Sequence, residues 1–216
     1  MKRIVICEFA PDRATAFASW LPDAQVVRRY LGEPVPESFD VLVLGGGPMS
    51  ATKRDRAKHS FLQEEFDRVR VLATDPSAPM LVGICLGAQL ITFALGGCVR
   101  RGKLVHGWNE IRPVADHRMF PFRTRYAHFE FHDNHITQLP NGARRLADSR
   151  HDATEAFAVG DRILATAYHP EIGLADAERI YRGIGVAPSE LYSDRLVNLG
   201  RVATFSSRSF FKAVTA

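Results

Sequence analysis

Apolar residues in the first half of the chain fall into short uninterrupted runs, separated by polar stretches with helical spacing. "RIVICEF" (Arg3–Phe9), "AQVVRRY" (Ala24–Tyr30), "FDVLVLGGGP" (Phe39–Pro48) and "PMLVGIC" (Pro79–Cys85) read as buried β-strands. "HSFLQEEFDRVRVLA" (His59–Ala73) sets Phe61, Leu62, Phe66, Val69 and Leu72 at helical spacing, so an amphipathic helix is expected. "LGAQLITFALGG" (Leu86–Gly97) reads as an apolar helix closed by Gly96-Gly97, a pair suited to a left-handed C-terminal cap. Short buried strands alternating with helices predict an α/β fold with a central, mostly parallel sheet flanked by helices. Ligands bind such sheets at the carboxyl ends of the strands. Two of those ends, "LGGGP" and "GICLG", carry unusual chemistry.

The second half is less regular. "VHGWNEIRPV" (Val105–Val114) and "YAHFEFHD" (Tyr126–Asp133) look like strands, and "DRILATAYHPEI" (Asp161–Ile172) contains another. "LADAERIYRGIG" (Leu174–Gly185) and "SELYSDRLVNLGRVATF" (Ser189–Phe205) look like closing helices. With no repeat or linker signal, one domain over residues 1–216 is expected.

Composition changes this picture little. At 216 residues and 46% hydrophobic content the chain can bury a sizeable core. The net charge of +4 comes from scattered arginine pairs such as Arg28-Arg29 and Arg144-Arg145, which read as solvated faces, so neither nucleic acid nor membrane is an expected partner. "IVICEFA" is too short for a signal peptide, and a cytoplasmic location is expected. Cys7, Cys85 and Cys98 lack paired or metal-type spacing and suit free thiols in a reducing compartment. Cys7 and Cys98 read as small buried hydrophobes, and Trp108, Phe120 and Phe122 as core.

Cys85 is different. A strand that delivers it into a helix starting at Leu86 places the thiol beside free backbone N–H groups and the positive end of the helix dipole, which favour a thiolate and can steady an oxyanion. Gly83 and Gly87 clear the space that such a strand–nucleophile–helix elbow needs. Close helix–strand packing would also use these glycines. A nucleophile needs a base and the base an orienting group; "YHPE" supplies His169 and Glu171 at the end of a strand-like run. The glycines of "LGGGPMS" (Leu44–Ser50) let the main chain approach a ligand closely, although a plain loop would use them too.

Taken together, "LGGGPMS", "GICLGAQ", "LGGCV", "HGWNEIRPV", "FHDNHITQLPNGARRLADS", "EAFAVGDRI" and "YHPE", in this order from Val41 to Glu171, resemble the class I (triad-type) glutamine amidotransferases. The likeness is closest to the amidotransferase portion of GMP synthase and its stand-alone relatives. It implies a flavodoxin-like fold and attack of Cys85 on the glutamine side-chain amide, with His169 as base and then acid and Glu171 orienting it. It further implies an oxyanion hole from the N–H groups of Gly47 and Leu86, and substrate contacts from Gly46, Gln89, Phe131, His132 and Asp133. A glutamyl thioester forms, water releases glutamate, and ammonia passes to an acceptor held by a synthetase domain or a separate synthetase subunit. No cofactor is implied.

"FHDNHITQLP" (Phe131–Pro140) departs from the family's Ser-His-Gly-Asp-like run, because Asp133 stands where glycine is usual. A carboxylate near the α-carboxylate of glutamine is unfavourable unless it is paired or turned away. That keeps a γ-glutamyl amide or peptide hydrolase as an alternative. A regulatory or scaffolding subunit is the non-enzymatic alternative, against which intact Cys85, His169 and Glu171 speak. A metal site is not expected: on a strand His128 and His132 share a face while His135 does not, and no cysteine or carboxylate is seen to complete a ligand set. Phe129 and Phe131 would line a pocket mouth if their strand ends beside Cys85.

Overall fold

The computed structural model describes residues 2–185 and 194–216. The expected strands appear as β1 (Ile4–Glu8), β2 (Gln25–Arg28), β3 (Val41–Leu44) and β4 (Met80–Ile84). A short helix α1 (Lys53–Lys58), not announced by the apolar pattern, precedes α2 (Ser60–Thr74), and α3 (Leu86–Ala94) follows β4. The second half forms β5 (Cys98–Pro113), β6 (Tyr126–Gln138), β7 (Ala143–Ser149), β8 (Ala156–Val159), β9 (Ile163–Thr166), α4 (Leu174–Gly183) and α5 (Asp194–Thr215). The first residues of the expected helix Ser189–Phe205 lie outside the described residues.

One continuous sheet runs β2-β1-β3-β4-β9-β8-β7-β5-β6. The five strands from β2 to β9 are parallel, as the doubly apolar runs require, and β8, β7, β5 and β6 extend them antiparallel. Side-chain alternation splits the core into two layers. Ile6, Val41, Val43, Val82 and Ile84 face Phe17 and the α5 residues Phe210, Phe211 and Val214. Val5, Cys7, Leu42, Leu44 and Leu81 face Leu62 and Val69 of α2 and Leu86, Leu90 and Ile91 of α3. Each fully buried leucine contributes about 1.5–3 kcal/mol, so α3 is held by packing.

The helix ends where its glycine pair predicts. Gly96 adopts φ 85°, and the Gly97 and Gly96 N–H groups donate to the carbonyls of Thr92 and Phe93 at 2.8 and 3.3 Å, closing a Schellman motif. Cys98 departs from expectation: it starts the long ribbon strand β5 beyond the helical layer and is only half-buried, whereas Cys7 is fully buried.

Candidate active site

Three parallel strands bring the chemistry to one edge of the sheet. β3 ends at Leu44 and releases the glycine loop. β4 ends at Ile84 and releases Cys85, and β9 ends at Thr166 ahead of His169. Cys85 sits at φ 51°, ψ −102°, a conformation that L side chains rarely adopt. Its N–H donates to the Thr166 carbonyl at 2.8 Å, tying the elbow to the strand that carries His169. The glycines are sterically required. A Cβ at Gly87 would stand 2.1 Å from the Leu44 carbonyl oxygen, and one at Gly83 would stand 2.5 Å from Ile91 Cδ1.

His169 is fixed from two sides. Its backbone N–H donates to the Phe129 carbonyl at 2.8 Å, and its ring Nδ1 bonds Glu171 Oε1 at 2.7 Å. Glu171 is buried, and its own carbonyl accepts from Trp20 Nε1 at 2.9 Å. Cys85 and His169 both approach Gly46, where an added Cβ would lie 3.8 Å from Cys85 Cβ and 2.8 Å from His169 Cε1. Gly46→Ala is therefore expected to push the imidazole off its position. Turnover should fall by about 10²-fold with circular dichroism unchanged; an unaltered rate would show that the ring has room to move.

Burial pushes the His169 imidazole down, but Glu171 and Cys85 push it up by more, and it titrates well above 6.5. A histidine raised in the folded state adds stability that is fully present below the unfolded value of about 6.5 and is lost as pH rises through the folded value. Glu171→Gln removes the largest upward push. The His169 ring resonance is expected to titrate lower in that variant, and its denaturation midpoint to stay flat over the alkaline window in which the wild type declines. Parallel curves for the two proteins would contradict the pairing.

The cavity beside Cys85 has a volume of about 380 Å³ and is lined by Gly46, Gly47, Phe131, His169 and Glu171. Phe129 and Phe131 both line it, from the interior of β6 and not from a strand end. Leu86 is buried with Cδ2 2.8 Å from where a Gly47 Cβ would stand, so these two residues pack closely. Gln89 does not line the cavity. It is buried, and its Oε1 accepts from the Ala51 N–H at 3.3 Å, pinning the chain that follows the glycine loop. Asp133 is not part of the cavity lining and is paired, with Oδ2 2.8 Å from Arg101 Nε and Oδ1 accepting from Asn134 Nδ2 at 2.9 Å. Further walls come from Asp12, Arg13, Arg179 and Ile180. Asp12 and Arg13 were legible in principle, since they follow the carboxyl end of β1 at the same sheet edge. The α4 residues carry no such local signal.

The His132 side chain belongs to a different neighbourhood from the cavity. Its buried ring is absent from the cavity wall, and it lies with His135 and Asp152: the two rings are 5.4 Å apart, and His132 Nε2 is 3.9 Å from Asp152 Oδ2. The β5–β6 ladder is irregular between Val105↔His132 and Arg101↔Asn134, which breaks the simple face alternation. A carboxylate does therefore join the histidines. Glu130 and Glu155 are fully buried beside them.

The class-I glutamine amidotransferase family model matches residues 23–181. The chain belongs to that family. It is 33% identical over 144 residues to the glutamine amidotransferase-like protein chry6 of Gibberella zeae, a match covering 64% of this chain and 57% of that protein. It is 30% identical over 145 residues to one subunit of the glutamine-hydrolyzing GMP synthase of Saccharolobus solfataricus, covering 65% of this chain and 72% of that one. A glutamine amidotransferase structure from Thermotoga maritima shares the fold over 100% of this chain and 99% of that one, with a TM-score of 0.82 at 23% identity. No helix among the described residues is long and apolar enough to cross a membrane.

Proposed function

We propose that this amidotransferase releases ammonia from the side-chain amide of glutamine through a glutamyl thioester on Cys85. The observation that carries this reading is the strained Cys85 elbow held against a His169 already bonded to Glu171. His169 takes the thiol proton, and the sulfur attacks the amide carbon. The Gly47 and Leu86 N–H groups donate to the oxyanion, offsetting charge that appears only in the transition state. His169 then gives its proton to the departing nitrogen, the C–N bond breaks, and ammonia leaves. Water, deprotonated by His169, cleaves the thioester and frees glutamate. Throughout, Glu171 holds the imidazole in one tautomer and balances its charge.

Gly46 leaves room for the ring, and Gln89 keeps the glycine loop in register. The Asp133–Arg101 pair supports free glutamine as the substrate, because a paired carboxylate repels its α-carboxylate less. A separate synthetase subunit would accept the ammonia, a reading supported by the relatives that are themselves single subunits of GMP synthases. One observation favours a second reading. Departing ammonia needs no cavity of about 380 Å³ walled by Phe131, Ile172, Ile180 and Ile184, whereas the amine of a γ-glutamyl amide would fill it.

The test is release of glutamate and ammonia by purified protein, with Cys85→Ala beside it and a panel of γ-glutamyl amides in parallel. Cys85-dependent turnover of glutamine supports the first reading. Turnover only of the larger amides supports the second. If nothing turns over and Cys85 also ignores a glutamine-mimicking electrophile, both fail and a regulatory role is the better description.

A further inference from the structure

The cluster behind His169 is not used by the chemistry above, and its composition is unusual for a protein interior. Glu130 and Glu155 are fully buried, and His132 is 6% exposed. Neither carboxylate oxygen of Glu130, neither ring nitrogen of His132 and not Oε2 of Glu155 has a hydrogen-bond partner of sound geometry among the described residues. One ligand atom from each of these three residues lies within 4.8 Å of the others. Two buried carboxyl groups and an imidazole left open toward one another are costly unless something binds them all.

We propose that Glu130, His132 and Glu155 form a buried site for one divalent first-row transition-metal cation, zinc being the best fit. One imidazole nitrogen with carboxylate oxygens is a borderline donor set that suits zinc better than magnesium or calcium. With metal–ligand bonds of about 2.1 Å, the three atoms would close inward from their present spread of up to 4.8 Å. The supporting groups are in place. Ser149 Oγ donates to Glu155 Oε1 at 2.6 Å, leaving Oε2 free to bind. His135 Nδ1 contacts both Asp152 oxygens at 2.7 and 2.8 Å while its Nε2 meets the Lys103 carbonyl at 2.9 Å, so Asp152 is held by His135, 3.9 Å from His132, as a neighbouring carboxylate outside the three-ligand set.

The site would also clamp the two pieces of chain that hold the catalytic histidine. Glu130 follows Phe129, whose carbonyl receives the His169 N–H at 2.8 Å, and the Glu155 carbonyl receives the Ala167 N–H at 2.8 Å. A cation joining β6 to the start of β8 therefore fixes both anchors of the segment leading to His169. The competing explanation is a proton shared between Glu130 and Glu155, which needs no metal and leaves His132 idle.

The experiment uses the full chain without an affinity tag and in a Cys85→Ala background, so that the thiol cannot supply the site. Protein stripped with a chelator and titrated with zinc is expected to bind one equivalent, with an affinity tighter than micromolar and a melting temperature raised by several degrees. Cobalt should give visible bands of a nitrogen–oxygen site. Glu130→Gln and His132→Asn should each lose the bound equivalent, while His117→Gln, outside the cluster, keeps it. Cobalt bands in the parent protein support the site even if both cluster variants fail to fold. Absence of stoichiometric zinc and of cobalt bands in the parent, or unchanged binding in folded Glu130→Gln and His132→Asn, would overturn the proposal in favour of the shared proton.

Discussion

Replacing Cys85 by glycine is expected to abolish turnover and, at the same time, to make the protein more stable. The thiol is the only candidate nucleophile at the elbow, so activity should fall to the uncatalysed background, a loss of at least about 10⁴-fold. Stability should move the other way. Cys85 holds φ 51°, ψ −102°, which costs a residue with a side chain on the order of 1–3 kcal/mol and costs glycine almost nothing. Glycine returns part of that gain through the greater freedom of its unfolded chain, about 0.5–1 kcal/mol. Alanine keeps the strain and loses the sulfur. The expected order of melting temperatures is therefore Cys85→Gly above wild type and above Cys85→Ala, with the two variants separated by several degrees. The reverse order would mean that the elbow stores no strain. Strain at a nucleophile is maintained because the surrounding sheet over-determines it. Here the Cys85 N–H bond to Thr166 and the seating of α3 do so.

Gly87→Ala is expected to have the largest effect on folding. The new methyl would stand 2.1 Å from the Leu44 carbonyl oxygen and 2.7 Å from Leu44 Cβ. Both belong to the end of β3, and the Gly87 N–H already donates to the Gly45 carbonyl at 3.2 Å, so neither backbone can withdraw without breaking that bond. Overpacking in a core costs about 1–3 kcal/mol where side chains can yield; a backbone clash should exceed that range, and the variant should be insoluble or lose more than about 3 kcal/mol in urea denaturation. Gly183→Ala is the control. An added Cβ there meets nothing within 4 Å, and alanine favours a helix, so its midpoint should stay level or rise. Equal midpoints for the two variants would show that α3 can slide away from β3.

Much of this site was legible because its geometry is local. A cysteine between a buried strand and an apolar helix can face only one way, and Gly83 and Gly87 announce the close approach. His169 and Glu171 lie two residues apart around a proline, near enough for the 2.7 Å bond to follow from the chain itself. The five parallel strands were legible for a similar reason: doubly apolar runs have nowhere to go but between two helical layers. β7 and β8 were harder to see. Arg144 and Arg145 make β7 read as a polar loop, and it becomes a strand only because β5 and β8 flank it in the sheet.

The sequence by itself determined the α/β fold, the family, and the three residues that meet at the sheet edge. Those features rest on interactions between near neighbours or on the burial that each strand demands. Tertiary structure alone decided which groups stand beside them. It turned Asp133 toward Arg101, gave Gln89 to the backbone of Ala51, and brought Arg179 and Ile180 from α4 to the cavity wall. It also brought Glu155, from the chain just before β8, to Glu130 and His132, which share one face of β6. Contacts between distant segments depend on how sheet and helices pack as a whole, and a linear pattern of polar and apolar residues carries no measure of that distance.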